Sequence, residues 1–337
     1  MRAYSIESFG LDKLAVITRP SAPLGPHAVR VRVRAVSLNY RDMMTVEGTY
    51  NPRQKLPLVP CSDAAGEVVE VGSAVTRFAV GARVMTLFAQ RWQAGRPTMD
   101  KLKSTLGGPA DGVLAEEIVL SEEGLVAVPE ALSFADASTL PCAGLTAWSA
   151  LEQAGVTSGD TVVVQGTGGV SIFALQLAKL RGARVVVTSK SDEKLERARA
   201  LGADHGINYT STPEWGKAAL AYAGGDGVDC VIEVGGAGTL AQSLRAVRPG
   251  GTVAIIGILA GVASELALTS VLMRNVRLQG VMVGHREGLE DLTRAIVRAG
   301  VRPVVGERFP FEEAPAAFAR MKAGAHFGKI VVEVGGR

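Results

Sequence analysis

Residues 159–171 read Gly-Asp-Thr-Val-Val-Val-Gln-Gly-Thr-Gly-Gly-Val-Ser, an apolar strand that runs straight into a glycine-rich turn. A helix is expected to follow over 172–181. Gly166 permits the tight turn, and Gly168 lets the backbone approach a pyrophosphate. The helix then aims its free N–H groups and positive dipole end at the phosphates. Thr167, Gly169 and Val170 complete the loop, and Ser171 stands at the third glycine position of the fingerprint. A glycine turn that merely closes a strand–helix connection has the same local look. Context decides for a dinucleotide site, because 184–188 reads as a second strand and 192–201 as a second amphipathic helix, which completes the βαβ unit.

Bulk properties fit a soluble enzyme. The chain has 337 residues, 47% of them hydrophobic, with 40 glycines, enough for about two domains. Its 36 basic and 33 acidic residues leave a net charge of +3 and are well mixed, so no nucleic-acid partner is expected. The first eight residues lack the apolar core of a signal peptide, and the greasiest stretch, 253–260, is too short to span a bilayer. A cytoplasmic location without a membrane partner is expected. Cys61, Cys142 and Cys230 are too few for a disulfide framework or a four-cysteine zinc lobe.

Organisation changes near Pro129. Before it, short alternating segments such as 29–36, 65–71 and 115–120 have the spacing of a small β-rich barrel. After it, strands at 161–165, 184–188, 206–208, 228–233, 252–256 and 276–283 alternate with helices, the pattern of a doubly wound parallel sheet. The tail carries a helix at 288–299, an apolar helix at 315–322 and a closing strand at 329–334. The expectation is an α/β protein whose first domain, 1–130 with 285–337, is interrupted by a dinucleotide-binding domain at 131–284.

Several strings in this order resemble the medium-chain dehydrogenase/reductase superfamily over essentially the whole chain. They are Leu-Asn-Tyr-Arg-Asp (38–42), Leu-Pro-Leu-Val-Pro-Cys-Ser-Asp-Ala-Ala-Gly-Glu-Val (56–68), Gly-Ala-Arg-Val (81–84), Pro-Cys-Ala-Gly-Leu-Thr-Ala-Trp (141–148), the glycine motif, and Gly-Lys-Ile-Val-Val (328–332). The resemblance implies a GroES-like catalytic domain, a six-stranded Rossmann domain with a cleft between them, and a homodimer joined through the Rossmann sheets. In the family's zinc alcohol dehydrogenases a cysteine, a His-Glu pair and a second cysteine ring the metal. Those places fall here at Asn39, Ser62-Asp63 and Cys142, and the threonine of their proton relay falls at Arg41. One thiolate with an amide and a hydroxyl is a poor zinc site, so no metal is expected. A rearranged site of Cys61, Asp63 and Cys142 is the alternative. Residues 86–112 contain no cysteine, so the structural zinc lobe is missing too.

Without a Lewis acid the chemistry must suit hydrogen-bond donors alone, which points to quinones or α,β-unsaturated carbonyls. The chain resembles the zinc-free quinone oxidoreductases and enoyl reductases, with Asn39 at their cleft asparagine and Tyr50 where the enoyl-thioester reductases place a tyrosine. Each has a plainer reading, Tyr50 as a rim residue and Asn39 as a turn cap. Arg41 is expected in solvent or paired with Asp42 or Asp63, Cys142 as a buried thiol, Phe88 and Trp92 in a pocket wall or in packing, and His285 in a structural role.

The second strand ends in Thr188-Ser189-Lys190-Ser191, without the acidic residue that receives an unphosphorylated ribose. With Lys194 and Tyr209, which match 2′-phosphate ligands of the quinone reductase group, this makes NADPH the expected cofactor. The competing view takes Lys190 and Lys194 as a solvated first helical turn, and Asp192 and Glu193 stand nearby. The family further implies Thr146 and Val283 near the nicotinamide, and Val234, Gly235, Gly236 and Gly257 along the cofactor. The expected partner is a small-molecule substrate. Two other functions stay open, an alcohol or aldehyde dehydrogenase with a non-standard or absent metal, and a dinucleotide-binding protein with a non-enzymatic role.

Overall fold

The computed structural model describes residues 1–335, so the final two residues of the expected C-terminal segment, 336–337, lie outside the described residues. The N-terminal stretch forms β1 (Arg2–Ser5), β2 (Ala15–Thr18), β3 (Ala28–Ser37), β4 (Asp63–Val71), β5 (Arg83–Thr86), β6 (Glu117–Ser121) and β7 (Leu125–Ala127). The middle forms β8 (Thr161–Gln165), β9 (Arg184–Ser189), β10 (His205–Asn208), β11 (Val228–Glu233), β12 (Val247–Ile255) and β13 (Arg277–Gly280), and the C-terminal stretch adds β14 (Val305–Pro310) and β15 (Lys329–Glu333). The chain divides into two compact units, Met1–Leu145 with Val283–Arg337, and Thr146–Met282. Residues 131–145, placed in the nucleotide domain by the sequence, group with the first unit in this division. There the Arg83 guanidinium lies over the Phe134 ring and donates to the carbonyls of Pro129 and Leu132, and Ala135 packs on Ala35 and Val331.

In the second unit β8 is buried at every position, as a strand covered on both faces must be. The sheet is parallel in the order β10-β9-β8-β11-β12-β13. Strand order reverses beside β8, and ligands of such sheets lie at the strand C-termini near that reversal. This is the expected six-stranded doubly wound sheet. Several boundaries differ, among them the start of β12, at Val247 instead of 252. The helix after the glycine turn spans Gly169–Leu180, because intrahelical bonding already begins with Ile172 N–H to the Gly168 carbonyl. The last strand ends at Gly280 instead of 283, and Val283 turns to φ 49, a left-handed backbone that cannot continue a strand.

The first unit is a mostly antiparallel seven-stranded sheet, β14-β15-β3-β4-β5-β7, with β6 also paired to β3. β3 is its hub. Alternate β3 side chains Val29, Val31 and Val33 enter a core with Leu38, Leu114, Phe311, Phe318 and Ile330, the period of two that burial of one sheet face dictates. β14 was not foreseen, since Val-Gly-Glu-Arg-Phe-Pro alternates in burial without alternating cleanly in polarity. The tail helix runs Arg286–Ala299 and starts on His285, whose Nδ1 accepts the Gly288 N–H at 3.0 Å, the structural role expected of that histidine. Among the described residues no helix is long and apolar enough to cross a membrane.

Candidate active site

The glycine turn is tied to the neighbouring strand by Gly166, whose N–H donates to the Thr188 carbonyl at 2.8 Å with φ at 70. Ser171 also has a definite task. Its hydroxyl donates to the Gln165 carbonyl at 2.6 Å, fastening the first helical turn to the end of β8. Gly168 is the informative glycine. Its φ of −77 suits any residue, and a Cβ there would meet nothing within 4 Å. The fold does not need glycine at 168; the open space before the helix does. The first-turn N–H groups of Gly169–Leu180 point there without intrahelical acceptors, so the residues fit a dinucleotide pyrophosphate.

Along the same edge, Thr188 and Ser189 are buried at the end of β9. The Ser189 carbonyl accepts the Tyr209 N–H at 3.1 Å, and its hydroxyl oxygen accepts the Ser191 N–H at 3.2 Å. Ser191 caps the helix Asp192–Ala200 through the Lys194 N–H. Lys190 is exposed, Lys194 half-buried and Tyr209 exposed. Asp192, which would oppose a phosphate, accepts from Asn208 Nδ2 at 2.9 Å.

A buried brace that the sequence did not reveal shapes the next loop. Glu233, fully buried at the end of β11, accepts from the N–H groups of Gly235 and Gly236, both at 2.8 Å, and from Thr239 Oγ1 at 2.6 Å. Its other oxygen takes Gln165 Nε2 at 2.6 Å and the Ser243 hydroxyl. Gln165 Oε1 accepts from Val234 and Gly235, and a Cβ at Gly257 would overlap the Val234 carbonyl. Gly166, Val234, Gly235 and Gly257 are thus linked into one strand-end assembly. The only hint was a polar residue closing each of two apolar strands. Thr146 is buried on the first turn of Leu145–Ala154, and Val283 is buried with a left-handed backbone.

In the first unit the sequence's catalytic candidates sit around a buried polar cluster. Asn39, 7% exposed, begins the helix Tyr40–Val46, and its N–H donates to the Asp42 carboxylate at 2.8 Å. The capping role foreseen as its plainer reading is therefore present. Its side-chain oxygen accepts from Lys329 Nζ at 2.6 Å, and the same ammonium donates to the Leu38 carbonyl at 2.6 Å. Asp63 accepts from the Ser62 hydroxyl at 2.6 Å and from the Cys142 N–H at 2.9 Å. Asp42, Asp63 and Lys329 are all buried. Neither Asp42 nor Lys329 was marked as a site residue; a lysine inside the apolar run 329–332 was the available signal.

Arg41 is not in solvent. It approaches Asp42 at 3.4 Å and donates to the carbonyls of Leu106 and Gly108 at 2.8 and 3.0 Å, with its guanidinium 5.0 Å from the Tyr50 ring centre and 5.2 Å from that of Phe88. Tyr50 is 43% exposed, so the ring is braced while the residue reaches outward. Tyr50 and Asn39 are joined through Arg41 and the helix start. Phe88 and Trp92 are buried, and Trp92 Nε1 donates to the Gly95 carbonyl at 2.8 Å, so both serve the packing of their lobe.

Burial pushes the Asp42 carboxyl up to about 6 against the pull of Arg41. It raises Asp63 as well, against Lys329, the Ser62 hydroxyl and the Asn39 amide. Burial also raises the thiols of Cys61 and Cys142, with Asp63 adding to both, which keeps them protonated. Zinc needs thiolate, imidazole or free carboxylate donors. Asn39 and Ser62 supply none of these, and the Asp63 carboxylate is engaged by the Ser62 hydroxyl and the Cys142 N–H. Among the described residues no three His, Cys, Asp or Glu side chains converge as a metal cage, the trio Cys61, Asp63 and Cys142 included.

Comparison with known proteins gives a consistent picture. Residues 25–130 match the alcohol dehydrogenase GroES-like domain family, and 169–298 the zinc-binding dehydrogenase family. The chain is 42% identical over 318 residues to a zinc-type alcohol dehydrogenase-like protein of Schizosaccharomyces pombe, covering 92% of each. It is 30% identical to an acryloyl-coenzyme A reductase of Metallosphaera sedula, covering 90% of this chain and 91% of the other. A solved structure from Sinorhizobium meliloti 1021, described as an alcohol dehydrogenase, is 45% identical with a TM-score of 0.92 over 98% of both chains.

The Asp42 shift has a measurable consequence. Its carboxyl is harder to ionise folded than unfolded, so its favourable contribution is full below the ordinary value of 3.8 and is lost as pH rises through about 6. Between those values wild type should lose stability relative to Asp42→Asn as pH increases. Urea unfolding of both proteins in steps of pH checks this, and a pH-independent difference contradicts it.

Proposed function

Because the chain belongs to the medium-chain dehydrogenase/reductase superfamily and is one of its oxidoreductases, we propose that it is a zinc-independent, NADPH-dependent reductase of quinones or α,β-unsaturated carbonyl compounds. The observation that carries this reading is the replacement of a zinc donor set by uncharged hydrogen-bond donors. The Asn39 Nδ2 group is buried and meets no acceptor in good hydrogen-bond geometry, and the ring of the exposed Tyr50 is braced by Arg41. The bound dinucleotide supplies the hydride. When hydride adds to a conjugated carbon, negative charge moves to the acceptor oxygen, where donors held in place stabilise it. Tyr50 and Asn39 take that role, and solvent delivers the proton to carbon. Alcohol oxidation on zinc needs thiolate, imidazole or carboxylate donors for the metal, and Asn39 and Ser62 do not supply them. The acryloyl-coenzyme A reductase among the relatives is in keeping with an activated alkene as substrate.

The preference for NADPH rests on Ser189, Lys190, Lys194 and Tyr209 at the ends of β9 and β10, with no acidic side chain closing β9. We further propose a homodimer through the Rossmann sheet. β13 is an edge strand, and Val262, Leu268, Leu272 and Met273 stand exposed in the segment leading to it, an apolar surface that monomers rarely leave bare. A cytoplasmic setting agrees with three unpaired cysteines.

Lys194→Ala should weaken NADPH binding by roughly tenfold or more, as loss of a charge-assisted phosphate contact does, and leave NADH nearly unchanged; equal losses for both, by fluorescence titration, contradict the NADPH assignment. Met273→Glu should lower the mass seen by light scattering from dimer to monomer, and a wild-type monomer rules the dimer out. Tyr50→Phe should lower turnover of an enone, in the presence of a chelator, by about 10²-fold with cofactor affinity kept, the loss typical of one oxyanion donor. Undiminished turnover, or a wild-type activity that the chelator abolishes, defeats the reading.

A further inference from the structure

Lysine carries donors only, and a primary amide carries one acceptor oxygen and one NH₂ group. The 2.6 Å contact between Lys329 Nζ and Asn39 therefore allows a single orientation of the amide, oxygen towards the lysine and Nδ2 away from it. We propose that Lys329 is a positioning residue of the reductase, holding the Asn39 amide so that its NH₂ group is turned to the acceptor oxygen and polarising it as a donor. This rests on the reading of Asn39 as a donor given above.

Three observations support it. Strand register is the first. β15 runs antiparallel to β3 with Val331 opposite Ser37, so two residues further along Lys329 falls opposite Asn39. The second is anchoring, because the Leu38 carbonyl takes another Nζ proton, and Lys329 is 3% exposed, leaving the ammonium little freedom. The third is the state of the amide nitrogen. Nδ2 is buried without a hydrogen-bond partner. The Asp63 carboxylate stands near enough to feel the amide but does not form a well-aligned bond with it, being held instead by Ser62 and the Cys142 N–H. An unpartnered buried donor is costly, and a ligand oxygen would satisfy it. A cation on Oδ1 draws electron density from the NH₂ group and strengthens that donor as charge develops on the acceptor.

The test is a double-mutant cycle on the full-length protein with an enone substrate, measuring kcat, KM, NADPH affinity and melting temperature. Asn39→Ala should lower kcat about 10²-fold, the loss of one donor to developing charge. Lys329→Met should lower kcat about tenfold or more with NADPH affinity within about twofold, and it should add nothing in the Asn39→Ala background, since its effect passes through that amide. Lys329→Arg, which keeps a donor on Oδ1, should recover most of the loss. If Lys329→Met does not fold, Lys329→Gln takes its place in the cycle. Losses that multiply, or a Lys329 variant with full turnover beside an impaired Asn39→Ala, overturn the positioning role alone. An Asn39→Ala protein with wild-type turnover removes the donor role and the positioning role together.

Discussion

The first unit is governed by the balance of charge in its interior. Two carboxylates, Asp42 and Asp63, are buried beside one ammonium, Lys329, and one nearly buried guanidinium, Arg41. None of these could be carried into the core alone, because removing one partner leaves an uncompensated charge in a poorly polarisable interior. The four come from three segments, so neutrality is reached only when the helix Tyr40–Val46, which carries Arg41 and Asp42, meets the start of β4 and the start of β15. Arg41 extends the same system outward by holding the carbonyls of Leu106 and Gly108 and supporting the rings of Tyr50 and Phe88. Amide, hydroxyl, carboxylate, ammonium and thiol groups thus share one buried polar cluster.

The second unit solves a different problem. A dinucleotide site requires glycine loops whose backbone lies open, yet glycine gives a loop no side-chain anchor. Here the anchor is Glu233, which gathers the N–H groups of Gly235 and Gly236 while Gln165 and Ser243 hold its other oxygen. Ser171 does the same service for the first helical turn through the Gln165 carbonyl. The open face at Gly168 is therefore framed by buried hydrogen bonds beneath it.

These two halves differed in how far they could be read from the sequence. The Rossmann sheet was legible because its signals are local: β8, β9 and β11 are apolar runs bounded by turns, and Gly166 and Gly168 lie next to the strand they serve. The loop candidates from Gly166 to Val170 followed from that alone, whereas Val234 and Gly235 were implied by the family resemblance. The polar cluster is non-local. Nothing near Asn39 announces that Lys329 lies across from it, since that depends on the register of β15 on β3. The pairing of Arg41 with Asp42 was one of its expected alternatives and is present, but its burial was not legible, because its other acceptors are backbone carbonyls more than sixty positions away. β14 and the true end of β13 were missed for a related reason, one lacking clean alternation and the other being stopped by the backbone of Val283 instead of by a breaker residue.

The interrupted first unit also has a temporal meaning. During synthesis β3 and β4 emerge long before β15, whereas the second unit is encoded without interruption and can close on its own contacts as it appears. Until residue 329 is available, Asn39 and Asp63 have no ammonium to face, and the β3 edge that β15 will cover is open. The interior of this unit is therefore a late event, sealed by one of the last strands to be made, so the polar cluster and the sheet beside it are completed in the same step.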